Sequence, residues 1–266
     1  MTVKPWVPED QARLAVITVT KDDTEGLRAT LESAKAQTNR NFRHLVIDSS
    51  TTSTYLEQMV CEYGAEYHWT SPRGIYPAMQ LGLNKLTDSD YCWFLNSSDT
   101  FADPNSVEHV SRQVFAEDSM ETTWILGKVM LVGGKNRTIY SATDVSSDLL
   151  SKARKGRIYF PHSSTICRVS SLRAVGAFSG RLKIAEDYLI ALKILTRFGP
   201  PKTVDEVLSI FSLGGITSRK TVKTGLETVR ARLMVFGASQ LPREAWNVIR
   251  IVCGRPLKKA YLKIAS

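Results

Sequence analysis

The segment Tyr91–Thr100, with the sequence YCWFLNSSDT, combines the pattern of a buried strand with an abrupt polar end. Its first five residues are apolar or aromatic without alternation. That pattern is typical of a strand covered on both faces, as in the middle of a parallel sheet. The residues that follow are small and polar and lead to Asp99. Because open α/β folds bind ligands at the carboxyl ends of their strands, the pattern predicts Asp99 at such an edge.

Asp99 has two interpretations from its neighbours alone. A carboxylate beside hydroxyls and an amide suits a hard divalent cation that carries phosphates, since such ions prefer oxygen ligands and take few from the protein. Alternatively, Asp99 caps a following helix, because the segment 103–106 (Asp-Pro-Asn-Ser) has residue types found at helix starts. The spacing does not separate these interpretations.

The chain before Tyr91 alternates between strand and helix patterns. Strands are predicted at Leu14–Val19, His44–Ile47 and Glu66–Trp69, which are short apolar or β-rich runs. Between them, apolar residues recur at helical spacing. The predicted helices are Gly26–Ala36, Tyr55–Tyr63 and Tyr76–Leu86. This βαβ alternation predicts an α/β fold with a doubly wound, mostly parallel sheet and helices on both faces.

After Asp99 the pattern changes. A hairpin is expected where Trp124–Val132 and Arg137–Tyr140 flank Gly-Gly-Lys. Residues 141–157 are polar and basic and are expected to form a loop. Glu186–Phe198 has one apolar face and ends before Gly-Pro-Pro, which predicts a helix, and Val204–Leu213 is expected to be a last strand.

Composition excludes several classes of protein. The four cysteines are far apart, without a CxxC pair, so a zinc site or a disulfide framework is not expected. Widely spaced cysteines fit a reducing compartment, and we expect a cytoplasmic protein. Met1–Gln11 does not have the pattern of a signal peptide or an anchor. No apolar run reaches the roughly 18 residues that a membrane span requires.

The net charge of +9 is concentrated at one end of the chain. Residues 1–215 hold 24 basic and 24 acidic residues, whereas residues 216–266 hold 11 basic residues and only Glu227 and Glu244 as acids. Such asymmetry indicates an anionic partner for the last fifth of the chain, either a membrane surface or nucleic acid.

Three acidic positions lie at predicted element ends: Asp48, Asp99 and Glu186-Asp187. Each has a structural alternative, since Asp48 can form an Asx-turn and acids in a first helical turn complement the helix dipole. Because carboxyl ends of parallel strands meet at one edge, we expect these acids to converge.

Five segments in this order resemble the inverting glycosyltransferases of family 2, which have the GT-A fold. They are Leu14–Val19, His44–Asp48, Arg73–Met79, Phe94–Asp99 and Ala185–Tyr188. The resemblance covers about residues 14–218. It implies a GT-A domain over 1–215, with a nucleotide-binding half at about 12–100 and an acceptor-binding half at about 101–215.

The resemblance also implies roles for individual residues. Asp187, with Glu186 beside it, would be the general base, and Asp99 would hold Mn²⁺ or Mg²⁺ on the diphosphate of a nucleotide-sugar donor. Asp48 would contact the donor base. Apart from the resemblance, His162 is a candidate for the acceptor side, and the alternative is that it is a histidine of a loop. Further candidates for donor binding are Thr18, Thr20, Arg73, Asn96 and Ser98.

The sequence departs from the family pattern at two motifs. Asn96 and Ser98 stand where the metal motif usually has acids, so metal dependence would rest on Asp99 alone. Pro72 and Pro77 replace acids around Gly74, which leaves Arg73 as a candidate phosphate contact. A dinucleotide-binding dehydrogenase is not indicated, because no glycine-rich turn follows the first strand.

Residues 216–266 are expected to form basic amphipathic helices. Leu226, Val229, Leu233 and Phe236 share one helical face, Trp246, Ile249 and Cys253 a second, and Leu257, Tyr261 and Ile264 a third. Basic helices with interfacial aromatic residues suit an anionic membrane surface. That would favour a lipid-linked saccharide acceptor, in polysaccharide or glycolipid assembly at the inner face of the cell membrane. Alternatively, these faces pack on the protein itself.

Nucleic acid is disfavoured as a partner of the tail, because its few aromatic residues lie with the apolar faces rather than where bases could stack. A non-enzymatic function remains the alternative for the whole chain: a degenerate transferase fold that acts as a binding scaffold.

Overall fold

A computed structural model describes residues 13–51, 54–88, 90–114, 122–134, 136–141, 148–213 and 221–252. Its strands form one mixed, mostly parallel sheet with the order β3-β2-β1-β4-β8-β6-β9-β5, and β7 pairs with β6. The fold class predicted from the sequence is confirmed.

The first half of the sheet consists of parallel strands joined by helices. The strands are β1 (Leu14–Thr20), β2 (Arg43–Asp48), β3 (Glu66–Trp69) and β4 (Tyr91–Phe94). The helices between them are α1 (Thr24–Lys35), α2 (Thr54–Glu62) and α3 (Ile75–Leu83). β1 lies between β2 and β4, and all these pairings are parallel. The carboxyl ends of these strands therefore share one edge of the sheet.

The second half is mixed and brings distant segments to that edge. Its strands are β5 (Thr100–Phe101), β6 (Trp124–Gly133), β7 (Asn136–Tyr140), β8 (Thr165–Arg168) and β9 (Lys202–Ser212). Its helices are α4 (Ser106–Val114), α5 (Leu149–Arg154), α6 (Val169–Ala174) and α7 (Glu186–Phe198). β8 runs antiparallel between β4 and β6. A 3₁₀ turn, His162–Ser164, leads into β8 and lies beside the end of β4.

Alternate residues of the central strands pack on opposite faces of the sheet. In β4, Cys92 and Phe94 belong to the apolar core that includes α3 and α7. Tyr91 and Trp93 belong to the core that includes α4. Both faces of β4 are buried, and this is why its sequence is apolar without alternation.

One expectation for the second half was wrong. Residues 141–157 were expected to form a loop, but Leu149–Arg154 is a helix. Leu149 and Ala153 of this helix are buried in the core that includes α7. A six-residue helix gives too short a pattern for the period to be recognised, and its packing stabilises it.

The C-terminal helices α8 (Thr221–Phe236) and α9 (Leu241–Val252) form an antiparallel pair, and α8 packs on α7. Val229 is buried, whereas Leu226 of the same predicted face is 39% exposed. Arg232 is 6% exposed and bound to Glu244. The alternative of packing on the protein therefore holds for much of α8. The third predicted face, Leu257–Ile264, lies outside the described residues.

Within the described part of the chain, no helix combines the length and the apolar character needed to cross a membrane.

Candidate active site

Asp99 lies where the sequence placed it, directly beyond β4, and it is 4% exposed. Its Oδ1 atom accepts a hydrogen bond from the backbone N–H of Ser212, at the end of β9, at 3.2 Å. Its Oδ2 atom lies 3.7 Å from Nε2 of His162. Both carboxylate oxygens thus contact other elements of the sheet edge rather than the start of a helix, and the metal role of Asp99 stays a prediction.

His162 lies between the two candidate carboxylates. Its Nε2 faces Asp99, and its Nδ1 lies 3.4 Å from Oδ2 of Asp187. Burial lowers the pKa of this imidazole, but the neighbouring Asp187 and Asp99 outweigh that effect and raise it to about 9. An imidazolium in this position offsets the charge of both carboxylates, which would otherwise repel each other.

Burial also acts on Asp99. It raises the pKa of this carboxyl group above its usual range, and His162 and the Ser212 N–H offset only part of the increase. The charged form of a carboxyl group that is buried in this way is stabilised by a nearby cation.

Asn96 is the next contact of His162. The amide nitrogen Nδ2 of Asn96 lies 2.9 Å from His162 Nε2, and Oδ1 of Asn96 is buried without a hydrogen-bond partner in the described chain. When Nε2 carries a proton, it requires an acceptor, and a turn of the amide about its last bond supplies Oδ1. Asn96 can therefore serve either protonation state of the imidazole.

Ser98 is fixed by its backbone and its hydroxyl group. Its φ of 73° lies in the left-handed region, which costs a non-glycine residue about 1 kcal/mol. The hydroxyl donates to Asp23 Oδ2 at 2.9 Å. A Cβ atom on Gly26 would lie 2.1 Å from this hydroxyl, so glycine is required where α1 passes the motif. The contacts hold Asp99, the next residue, in place.

Asp187 stands in the first turn of α7 and is contacted from two sides. Besides His162, the hydroxyl group of Tyr76 lies 3.1 Å from Asp187 Oδ1. The same hydroxyl lies 2.6 Å from the carbonyl oxygen of Ile184 and accepts a hydrogen bond from the backbone N–H of Glu186. Burial and the Asp187 charge raise the pKa of Tyr76, so this phenol stays protonated. Tyr76 thereby links α3 to the start of α7.

Glu186 points away from this cluster. It is fully buried, and its Oε1 accepts a hydrogen bond from the Ser179 hydroxyl at 2.7 Å while Oε2 accepts from the Gly180 N–H at 2.9 Å. These contacts favour a role in shaping the loop before α7, and Asp187 is the acid of this pair that faces His162.

Asp48 is buried, and both its oxygens are engaged. Oδ1 accepts from the backbone N–H of Ser50 at 2.8 Å, which is the Asx-turn considered from the sequence, and Oδ2 accepts from the Tyr67 hydroxyl at 2.8 Å. Asp48 therefore stabilises the turn after β2. Each of its oxygens has a further lone pair, and a contact with the donor base stays a prediction.

The threonines of β1 differ from one another. Thr18 is fully buried and donates to the carbonyl of Leu95 at 2.7 Å, so it ties β1 to β4. Thr20 is also buried, but its hydroxyl has no hydrogen-bond partner in the described chain. Arg73 is exposed in the loop before α3. Arg73 is therefore accessible to a ligand, whereas the Thr20 hydroxyl is unpartnered but buried and the Thr18 hydroxyl is already engaged.

Only a few side chains of this site could act as ligands of a divalent cation. Among the described residues, no group of three or more His, Cys, Asp and Glu side chains is arranged to hold a metal. Asp99 Oδ2 and His162 Nε2 are 3.7 Å apart, and two ligand atoms of one small cation are at most about 4.2 Å apart. With the unpartnered Oδ1 of Asn96, they could hold a cation only after the imidazole has lost its Nε2 proton, since only the neutral ring has a lone pair for a metal; the other ligands would come from phosphate and water.

Comparison with known proteins decides the family. The model of the family "Glycosyl transferase family 2" matches residues 15–178, which is more than half of the chain. The chain belongs to glycosyl transferase family 2. The family resemblance inferred from the sequence motifs is thereby confirmed, and the matched region includes β1 to β4, Asp99 and His162.

Relatives of this family 2 protein include an uncharacterized glycosyltransferase in each of two strains of Mycobacterium tuberculosis, H37Rv and CDC 1551. Each is 27% identical over 210 residues, which cover 78% of this chain and 78% of the relative.

Solved structures share the fold at low identity. A TarS fragment of S. aureus in complex with UDP-GlcNAc has a TM-score of 0.66 at 14% identity and covers 95% of this chain and 79% of its own. The mannosyltransferase PcManGT of Pyrobaculum calidifontis, in complex with GDP-Man and Mn²⁺, has a TM-score of 0.59 at 15% identity and covers 94% and 78%. These likenesses establish the fold of this family 2 chain.

Two residues that contact the candidate acids were not predicted from the sequence. Tyr76 lies inside a motif that was noted, but nothing in its helical pattern indicates a hydrogen bond to Asp187. No sequence pattern around Ser212 indicates a contact with Asp99, because Ser212 reaches Asp99 only when β9 pairs with β5.

Proposed function

We propose that this protein transfers a sugar from a nucleotide-sugar donor to an acceptor hydroxyl group, with inversion at the anomeric carbon. The observation that carries the proposal is the position of Asp187. It lies 17% exposed, contacted by His162 and Tyr76, and is separated from Asp99 by one imidazole. Such a carboxylate can take the acceptor proton as the hydroxyl attacks, which an inverting transfer requires of a general base.

The remaining residues of the site receive supporting roles in this proposal. Asp99 and Asn96 Oδ1, joined by His162 Nε2 once that nitrogen has lost its proton, would hold Mn²⁺ or Mg²⁺. The structure of PcManGT, which shares the fold, is in complex with GDP-Man and Mn²⁺. Such a cation, when bound, offsets the charge of the departing diphosphate. The exposed guanidinium of Arg73 is available to the donor, and the buried hydroxyl of Thr20 has no partner in the described chain. Tyr76 and His162 orient Asp187 from opposite sides.

Nucleotide binding and product stereochemistry test this function. The melting temperature should rise with one of UDP, GDP and CMP, and rise further with Mn²⁺ or Mg²⁺, since a ligand of the folded state stabilises it. The sugar nucleotide of the responding base should then give a product whose anomeric configuration, measured by NMR, is opposite to that of the donor. If no nucleotide raises the melting temperature and none is released from a sugar donor, the protein is a scaffold instead.

We also propose that α9 places this site at the inner face of the cell membrane, facing a lipid-linked saccharide acceptor. The support is an exposed apolar surface on α9, where Leu241, Trp246 and Ile249 are 53%, 59% and 52% exposed. The opposite side of α9 carries Glu244, which is buried against α8. An exposed Trp beside cations suits the headgroup region of an anionic bilayer.

Liposome flotation tests the membrane proposal. The protein should float with anionic vesicles at low salt and be released as salt rises. Truncation before α8 is a poor test, because Val229 and Ala231 are buried and their loss would expose apolar surface. Trp246→Ser with Ile249→Ser leaves the buried contacts intact and should abolish flotation. Wild-type protein that ignores anionic vesicles at low salt would rule the surface out.

A further inference from the structure

The side chain of Glu227, in α8, reaches the segment that leads into α7. Its Oε2 atom accepts hydrogen bonds from the backbone N–H groups of Lys183, Ile184 and Ala185, at 2.9, 2.7 and 3.1 Å. Successive N–H groups that converge on one oxygen form a concavity that favours an anion. Glu227 therefore stabilises one particular backbone conformation of residues 183–185.

The start of α7 has no side-chain cap from its own segment, and Glu227 contacts the backbone at that point. The first N–H groups of a helix have no partner inside the helix and are usually capped by a nearby side chain. Ala185 occupies the N-cap position and makes no side-chain cap. Glu227 accepts from the N–H of Ala185 and of the two residues before it, so its carboxylate holds the N-cap residue at the positive end of the helix dipole. The N–H groups of Glu186 and Tyr188, in the first turn, donate to Tyr76 and Asp187.

The segment held by Glu227 is also the segment that orients Asp187. The carbonyl of Ile184 contacts the Tyr76 hydroxyl, and the N–H of Glu186 donates to the same hydroxyl. Tyr76 in turn contacts Asp187 Oδ1. Residues 183–186 are thus fixed by Glu227 on one side and by Tyr76 on the other, immediately before Asp187.

We propose that Glu227 is a positioning residue for Asp187, so that α8 is part of the catalytic unit rather than only an anchor for the tail. This inference rests on the proposed function, because it assumes that Asp187 is the base. Glu227 contacts neither Asp99 nor His162 in the described chain, so it acts on the rate of the chemical step rather than on donor affinity.

The matched control lies on the other side of the same helix. Arg232 of α8 pairs with Glu244 of α9, at 2.6 and 2.7 Å, and this pair does not contact residues 183–185. Glu244→Gln weakens the packing of α9 on α8 without changing the cap of α7. It separates general destabilisation of the tail from the specific effect of Glu227.

The test compares Glu227→Ala, Glu227→Gln and Glu244→Gln in the full chain. Glu227→Ala should lower kcat at least about tenfold, since small displacements of a catalytic group are costly, while KM for the donor and the nucleotide-induced melting shift stay unchanged. Glu227→Gln keeps an acceptor oxygen and should recover part of kcat. Glu244→Gln should lower the melting temperature and keep kcat within about twofold.

Hydrogen exchange gives a readout that does not depend on activity. The amides of Lys183, Ile184 and Ala185 should exchange faster in Glu227→Ala than in wild type or Glu244→Gln, since they lose their acceptor. Unchanged exchange, or a folded Glu227→Ala with wild-type kcat, overturns the inference while the proposed function stands. A wild-type protein that transfers no sugar overturns the proposed function, and the exchange data still decide whether Glu227 holds this segment.

Discussion

The imidazole of His162 connects two acids that are 88 positions apart in the chain: Nδ1 lies 3.4 Å from Asp187, and Nε2 lies 3.7 Å from Asp99. One cationic ring thus sets the distance between the candidate base and the candidate phosphate side of the site. The two acids are expected to have different roles. Substitution of Asp187 should change kcat, whereas substitution of Asp99 should change the metal-dependent binding of the nucleotide.

Asp187→Asn removes the proton acceptor and keeps the shape of the side chain. We expect kcat to fall by 10² to 10⁴, the usual cost of losing a general base. The nucleotide-induced melting shift should stay as in wild type, because Asp99 is unchanged. A variant that keeps more than about a tenth of the wild-type rate would remove Asp187 from this role.

His162→Gln removes the ring that lies between Asp99 and Asp187. We expect both a rate loss of at least about tenfold and a weaker affinity for the nucleotide, because the uncompensated carboxylates repel each other and the anionic donor. Steady-state kinetics and isothermal titration of the nucleotide measure the two effects. A change in kcat alone would show that His162 serves only Asp187.

Asp99→Asn keeps the contact with the Ser212 N–H but removes the charge. We expect the additional melting shift produced by Mn²⁺ or Mg²⁺ with a nucleotide to disappear, since one carboxylate carries the acidic part of this motif. The control is the shift with nucleotide alone, which should remain. If the wild-type shift does not depend on metal, Arg73 becomes the expected partner of the diphosphate.

His44 should make the protein less stable as the pH falls. Burial lowers its pKa from 6.5 to about 4, with only a small opposing effect of Glu66. Because the unfolded state binds the proton more readily, the free energy of unfolding should fall between pH 6.5 and pH 4, by up to about 3 kcal/mol.

The difference in urea unfolding between wild type and His44→Gln from pH 4.5 to 6.5 isolates the effect of His44, because the raised pKa of Asp99 contributes equally to both proteins. The pKa of Glu66 is lowered to about 2 by its partners His68 and Arg43, which outweigh burial, so its contribution is lost only below pH 4.5. His162 has its raised pKa at about 9, and its contribution is fully present below pH 6.5 and is lost above it. His44→Gln keeps a donor toward Thr18 and should flatten the profile in this window.

The Arg232–Glu244 pair should stabilise the C-terminal helices only as a pair. The side chains are 7% and 1% exposed. Glu244→Leu leaves a buried guanidinium and should lower the free energy of unfolding by about 3 kcal/mol or more. Arg232→Met combined with Glu244→Leu should recover most of that loss, because apolar side chains of similar volume replace a buried ion pair at little cost. Equal losses in the single and double variants would contradict this account.

The sequence by itself determined the elements with strong local patterns. The apolar runs Leu14–Val19 and Tyr91–Leu95 are strands that both faces of the sheet bury, and Glu186–Phe198 is a helix with the predicted bounds. It also determined that Asp99 lies at the carboxyl edge, because a buried strand must end where its polar residues begin. These conclusions depend on the period of side chains along a backbone, which is a property of neighbouring residues.

Only the tertiary structure decided which polar groups meet. Asn96 and His162 are 66 positions apart, and Tyr76 and Asp187 are 111 apart. No local pattern indicates that Arg232 pairs with Glu244. Hydrogen bonds and ion pairs act over about 3 to 4 Å, and the strand order brings such distant residues together. The roles of His162, Tyr76 and Glu227 therefore follow from the pairing of strands and helices and not from sequence spacing.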